Sequence, residues 1–177
     1  MSPADIKLIQ REIGTTTDGI WGPKSKAAAK AFLRSLWPVP NPWPSQAQRY
    51  KFFGGPGENL TQINVGGLGV KYEGKPVRLI TCHQKVADDL LAIIKETASS
   101  PWAWVLADYA GCYANKALMH GLGAAIDFVP DTNGMTSHWP TDQTMPWGVI
   151  KIFSKHGWIS AGVEWGYDGM HFQATTW

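Results

Sequence analysis

The sequence is short of several things. It has two cysteines, Cys82 and Cys112, too few for a disulfide scaffold or a four-cysteine zinc module. We read both as reduced thiols packed as small hydrophobes. It lacks an excess of either charge. Sixteen Lys and Arg stand against 14 Asp and Glu, a net charge of +2, which is too even for nucleic-acid binding by bulk charge. Nowhere do about 18 apolar residues run together, so no membrane span and no stable membrane association is expected. The opening Met1-Ser2-Pro3-Ala4-Asp5 has no basic stretch leading into an apolar one. The expectation is a chain made in a cytoplasm without a secretory signal. Internal repeats and low-complexity tracts are also missing. What remains is 177 residues, 44% hydrophobic and 17% charged. That suffices for one core of ordinary size with a small appendage and is not the composition of a disordered chain. Ten tryptophans are many; packing is their ordinary role, and contact with flat partners is the other.

Along the chain, residues 1–36 read as a small helical unit. Ser2 can cap a helix with Pro3 at its first position. Ile6, Ile9 and Ile13 repeat at helical spacing, and Gly14 is a natural stop. Pro23 opens a second helix with Ala27, Ala31, Phe32 and Leu36 available for one face. So short a unit buries little and must lean on the rest. Residues 37–48 read as a stiff Pro/Trp-rich linker, whose Trp37 and Trp43 suggest pinning to a surface. From residue 49 on, glycines cluster between positions 54 and 74, as loops or a short hairpin require. Val77–Thr81 is β-rich, and Val86, Leu90, Ile93 and Ile94 mark an amphipathic helix ending before Pro101. Trp102–Leu106 is expected as a strand, and Ala124–Val129 as a buried strand stopped by Pro130. Trp147–His156 suits a helix closed by Gly157, and His171-Phe172-Gln173 a last strand. Helices and short strands alternate without a βαβ repeat, so the class is α+β. Residues 1–36 carry +3 and residues 37–177 carry −1, which makes the first unit the better candidate for an anionic partner; a solvated helix face explains the charge equally well.

Two stretches could do chemistry: His120-Gly-Leu-Gly-Ala-Ala-Ile-Asp127 and Asp168-Gly-Met-His171. Asp127 sits in an apolar run, where an ionised carboxylate needs a cation, strong hydrogen bonds or a metal. Gly121 and Gly123 let the backbone turn so that His120 can fold back beside it. Gly169 favours a turn aiming Asp168 and His171 at one point. Two histidines and one or two carboxylates are the inventory of a catalytic zinc site. The spacing alone is unspecific, because each histidine also has an ordinary structural reading. His138 beside Trp139 could line a cleft or simply be exposed. His83 could cap a helix, and His156 near a helix end favours the dipole there.

The first stretch, with Gly123, Ala125 and Asp127 in register with His120, and the ending Trp165-Gly-Tyr-Asp168-Gly-Met-His171-Phe172 together resemble the zinc D-alanyl-D-alanine carboxypeptidase and L-alanyl-D-glutamate endopeptidase family. The resemblance covers roughly Thr81 to Gln173. It implies an α+β zinc peptidase domain over residues 49–177, with a small antiparallel sheet flanked by helices. It implies one zinc ion held by His120, Asp127 and His171, with Asp168 as general base. Leu118 stands where the family has a serine, and Lys116 is the residue nearest the family's upstream arginine. Lys116, His138 and Tyr113 are the candidates for oxyanion or substrate contact. Ile9-Gln10, Asp18-Gly19-Ile20-Trp21-Gly22-Pro23 and Ala28–Phe32 resemble the peptidoglycan-binding domain of bacterial and phage wall enzymes. Asp18, Gly19, Trp21 and Gly22 would then be the wall-binding residues of an all-α unit over residues 1–36, although the same residues also read as a plain tight bend.

Together the two resemblances imply a monomeric, zinc-dependent endolysin. It would cut the L-alanyl-D-glutamate bond of peptidoglycan stem peptides, made in a host cytoplasm and acting in the periplasm once the membrane is breached. The alternatives are a D-alanyl-D-alanine carboxypeptidase and a wall-binding protein with a dead catalytic domain, the latter motivated by Leu118.

Overall fold

The computed structural model describes residues 1–115 and 118–176. Helix α1 (Pro3–Glu12) starts on Ser2, whose hydroxyl accepts from the Asp5 amide while the Asp5 carboxylate accepts from the Ser2 amide. This reciprocal cap satisfies two donors that a helix start otherwise leaves open. Ile6 and Ile9 turn inward. Helix α2 (Pro23–Ser35) starts on Gly22, with Pro23 in its first turn. Its inward face is not the one the sequence led us to expect. Ser25, Ala29 and Leu33 are buried, Ala27 and Ala31 are exposed, and Phe32 and Leu36 are half-buried. Small residues on the 25–29–33 row let α2 come close to the rest of the chain; there the Ser154 hydroxyl donates to the Leu33 carbonyl at 2.9 Å.

Residues 37–44 bend without forming helix or strand; Pro38, Val39 and Pro40 are exposed, and the following residues lie against the fold. Trp43 is buried, its indole N–H donates to the His156 carbonyl, and Asn41 donates to the Gly157 carbonyl. A 3-10 turn, Gln46–Gln48, leads into α3 (Arg49–Phe53). Strand β1 (Leu60–Asn64) is followed by the hairpin of β2 (Lys71–Tyr72) and β3 (Lys75–Pro76), then by β4 (Leu79–His83). β4 runs antiparallel to β1, with His83 opposite Leu60. Helix α4 (Ala87–Ala98) buries Leu90, Ile93 and Ile94 as its periodicity required. Of Trp102–Leu106, expected as a strand, Trp102 precedes and the rest lies in a 3-10 segment, Ala103–Asp108. Val105 and Leu106 are both buried while Trp104 is exposed, so the exposed and buried positions do not alternate one by one as on a half-buried strand. A short apolar run does not distinguish the two in sequence.

The rest of the chain builds the site. In order it forms β5 (Tyr109–Gly111), α5 (Leu118–Gly121), β6 (Ala125–Phe128), α6 (Pro130–Asn133), α7 (Trp147–Lys155), β7 (Ile159–Ser160), α8 (Ala161–Glu164) and β8 (His171–Gln173). The four strands form an antiparallel sheet in the order β5-β6-β8-β7. Phe172, on one face of β8, stacks on Phe153 of α7 with ring centroids 3.9 Å apart. Ile9, Ala29 and Leu33 of the first two helices belong to the same buried cluster as Phe128, Phe153 and Phe172. The architecture is α+β. Among the described residues no helix is long and apolar enough to cross a membrane.

Candidate metal centre

β6 and β8 pair so that Asp127 lies directly opposite His171. Side chains of a strand alternate between faces. With Phe172 committed to the core, His171 and Gln173 therefore share the other face with Asp127. His120 comes from α5, returned toward β6 by Gly123, whose φ of +65° and contact with the His83 backbone leave no room for a Cβ. Asp168 is brought in by a turn in which the His171 amide donates to the Asp168 carbonyl at 3.0 Å. Asp168 itself takes the left-handed conformation there, φ 59°. Gly169 is needed for a different reason than the turn: a Cβ at that position would run into the Gln143 side chain.

Three donors converge. His120 Nε2 is 3.2 Å from Asp127 Oδ2, His171 Nδ1 is 2.9 Å from Asp127 Oδ1, and the two ring nitrogens are 3.1 Å apart. The outward nitrogens decide the protonation pattern. His120 Nδ1 lies 2.6 Å from the Cys112 carbonyl oxygen, which can only accept. His171 Nε2 lies 3.1 Å from Gln173 Oε1. The Gln173 amide is oriented by its own NH2, which donates to Gln46 and Thr175. Each neutral ring therefore carries its proton on the outward nitrogen and presents a lone pair inward. Two lone pairs and a carboxylate at these distances repel one another unless a cation sits among them. Donors bound at about 2.0–2.2 Å to a tetrahedral zinc ion lie about 3.3 Å apart, close to the spacings found. The residues fit a zinc ion both in chemistry and in separation.

Where no ion is bound, protons on the inward nitrogens take its place, and the two carboxylates then differ. Burial pushes the Asp127 carboxyl up, but the His120 and His171 imidazoles beside it outweigh burial and hold it at about 2. Asp168 goes the other way. Burial raises it above the ordinary carboxylate value, the Asp127 charge adds to this, and His171 and His120 oppose it. Asp168 is 8% exposed, and its Oδ1 is enclosed without a hydrogen-bond partner among the described residues. Two neighbouring carboxylates thus have opposite tendencies, one to stay ionised and the other to take a proton.

The other sequence candidates fall around this centre or outside it. Exposed His138 forms a bridge with Tyr167, one residue before Asp168. Tyr113 follows Cys112 and is half-buried. Lys116 lies outside the described residues. Leu118 is 58% exposed with φ 68°, so its side chain faces solvent. His83 caps the turn Gln84–Val86, accepting from the Lys85 amide, and His156 pairs with Asp89. The Asp18–Gly22 motif makes a turn. Asp18 Oδ1 accepts from the Ile20 amide and from Gln10, and the Gly19 amide donates to Gln10. Trp21 packs edge-on against Trp139 with centroids 5.2 Å apart. A groove of about 520 Å³ lies beside this turn, between Thr15 and Ser25.

Sequence reasoning had passed over the two partners that orient the histidines. Gln173 was findable, since it stands two residues after His171 in a strand and so shares its face. The Cys112 carbonyl was not, because a backbone atom has no residue signature. Cys112 itself is buried, and its thiol is pushed well up by burial, with the Cys82 charge adding to it. Both cysteines are free.

An α+β fold with two imidazoles, a carboxylate and a second, protonatable carboxylate around one point is the framework of a metal-dependent hydrolase. A family model described as D-alanyl-D-alanine carboxypeptidase matches residues 114–174, about a third of the chain and a span that holds His120, Asp127, Asp168 and His171. The match supports a zinc metallopeptidase acting on peptidoglycan stem peptides. No curated protein and no solved structure matches the chain.

Proposed function

We propose that the protein is a peptidoglycan-degrading endolysin that hydrolyses the L-alanyl-D-glutamate bond of wall stem peptides. It would be made in a host cytoplasm and act as a monomer in the periplasm once the membrane has been breached. The observation that carries this reading is the convergence of the His120 and His171 lone pairs on the Asp127 carboxylate, with Asp168 beside them.

In this reading His120, Asp127 and His171 hold one zinc ion. Bound there, zinc supplies a Lewis acid for the scissile carbonyl and lowers the pKa of a water molecule toward 7. Asp168 accepts the proton of the attacking water and passes it to the leaving amine, which its raised proton affinity suits. Cys112 and Gln173 keep the two imidazoles in the ligating tautomer. Lys116, Tyr113 and His138 are the residues proposed to meet the oxyanion or the substrate. The unit over residues 1–36 holds the enzyme on the polymer through the Asp18–Gly22 turn and its neighbouring groove, which raises the local concentration of substrate.

The description of the matching family favours a second reading, removal of the terminal D-alanine. Mass spectrometry of digested muropeptides separates the two: freed stem peptides support the endopeptidase, and loss of a single alanine supports the carboxypeptidase. Asp168→Asn is expected to lower kcat by about 10²–10⁴-fold while zinc content stays at the wild-type level. Loss of zinc would instead make Asp168 a ligand.

A further inference from the structure

We propose that Lys30 and Arg34 of α2 are positioning residues for the metal centre, acting through Glu164 and Trp165 on His171. The proposal rests on the reading of His120, Asp127 and His171 as a zinc site. It goes beyond that reading by making the N-terminal helices part of the centre and not only a tether.

The chain of contacts is continuous. The Glu164 side chain is 6% exposed. Arg34 Nη2 donates to both of its carboxylate oxygens, at 3.2 and 3.3 Å. Lys30 Nζ donates to the Glu164 backbone carbonyl at 2.6 Å and lies 3.6 Å from the carboxylate. Glu164 ends α8, which is only four residues long. In so short a helix the Ala161 carbonyl accepts from the Trp165 amide at 2.7 Å, while the Glu164 carbonyl has no partner within it and takes Lys30 of α2 from outside. The next residue, Trp165, lays its indole on the His171 imidazole, with centroids 5.7 Å apart and planes 25° from parallel. The following carbonyl, of Gly166, accepts from the Trp139 amide, and Trp139 is the residue that Trp21 packs against. α2 thus touches the segment leading to Asp168 and His171 directly at Glu164, and Trp21, in the connection before α2, reaches it through Trp139. Between those points lies a cavity of about 60 Å³ bordered by Trp21, Lys30, Trp139 and Trp165. α2 packs closely on the rest of the chain through buried Ala29 and Leu33, and at this junction the ion pairs to Glu164 and one aromatic edge fix its register.

A purely structural tie of this kind would change stability slightly and leave metal affinity alone. The test uses the full chain. Zinc affinity is read by competition with a chromophoric chelator, and kcat and KM on a soluble stem peptide that needs no wall anchoring. In the Lys30→Ala/Arg34→Ala variant, and in Glu164→Gln, zinc affinity is expected to fall about tenfold or more, as when a partner behind a metal ligand is lost. Under saturating zinc, kcat falls and KM changes little. Arg34→Lys, which keeps the charge, retains most of the affinity. Lys155→Ala, which breaks the ion pair to Glu96 elsewhere on the surface, stays within about twofold of wild type. Zinc affinity and kcat within twofold of wild type in the double variant would overturn the proposal. Zinc affinity is read without any cleavage, so a chain that binds zinc yet leaves stem peptides intact would count against the proposed function alone.

Discussion

Asp127 and Asp168 are both largely buried and feel each other's charge, but face opposite electrostatics. Asp127 has two imidazoles against its two oxygens and stays ionised, whereas Asp168 has an enclosed oxygen with no hydrogen-bond donor among the described residues. In the proposed function, the division between ligand and proton acceptor follows from those partners and not from residue type. Gln173 tests the tautomer argument. Gln173→Leu removes the acceptor behind His171 Nε2, frees the ring to place its proton inward, and is expected to weaken zinc binding by about 10–100-fold, read by chelator competition. Affinity within twofold of wild type would mean that Gln173 does not set the tautomer. His120, Asp127 and His171, which the structure brings together, were legible in sequence through the motif resemblance, since the spacing alone is unspecific. The groups that orient them were not. One is a main-chain carbonyl, and the other became visible only when β8 showed which face Phe172 occupies.

At the scale of elements, α7 illustrates what pattern reading catches and what it misses. Its apolar spacing and its end at Gly157 were plain, and the helix spans Trp147–Lys155. Less plain was why Gly148 stands in its first turn. A Cβ at that position would overlap the six-membered ring of Trp102, so the glycine is a seat for the indole of the residue that precedes the 3-10 segment. Gly148→Ala is expected to cost about 1–3 kcal/mol of stability, measured by urea unfolding; an unchanged midpoint would mean that Trp102 is free to move aside. At the other end, His156 was expected to answer the helix dipole. Its stronger partner is Asp89, 2.6 Å away across to α4. The hydrogen bond to Asp89 raises the His156 proton affinity against the opposing effect of burial, and the Asp89 and Glu96 charges add to it. Because the folded pKa is raised, this contribution is fully present below the ordinary histidine value of 6.5 and is lost as pH rises through the folded value. The stability gap between wild type and His156→Gln should therefore be larger at about pH 5.5 than at about pH 9. A gap that widened with pH would reverse the assignment. The α2 face was misread because small residues carry little hydrophobic signal, and it was Ser25 and Ala29 that the close packing needed.

Across the whole molecule, the sequence divides more sharply than the structure. Composition shifts at the Pro/Trp-rich segment, and charge shifts with it, yet Trp43, Asn41 and Gln46 of that segment all bond to the later part of the chain. The first two helices share its buried cluster. Contacts between residues more than a hundred positions apart, such as Arg34 with Glu164, leave no trace in local periodicity, which is why this closeness could not be read beforehand. The α+β class could be read, because it needs only the kinds of element and their alternation. The account stands on one ion held by three side chains. Metal analysis of the full chain after zinc loading and removal of free metal is expected to find about one zinc per chain in the wild type, and far less in each of His120→Ala, Asp127→Ala and His171→Ala, with unchanged far-ultraviolet circular dichroism. A folded wild-type chain that retains no zinc, or three folded variants that retain as much as the wild type, would contradict it.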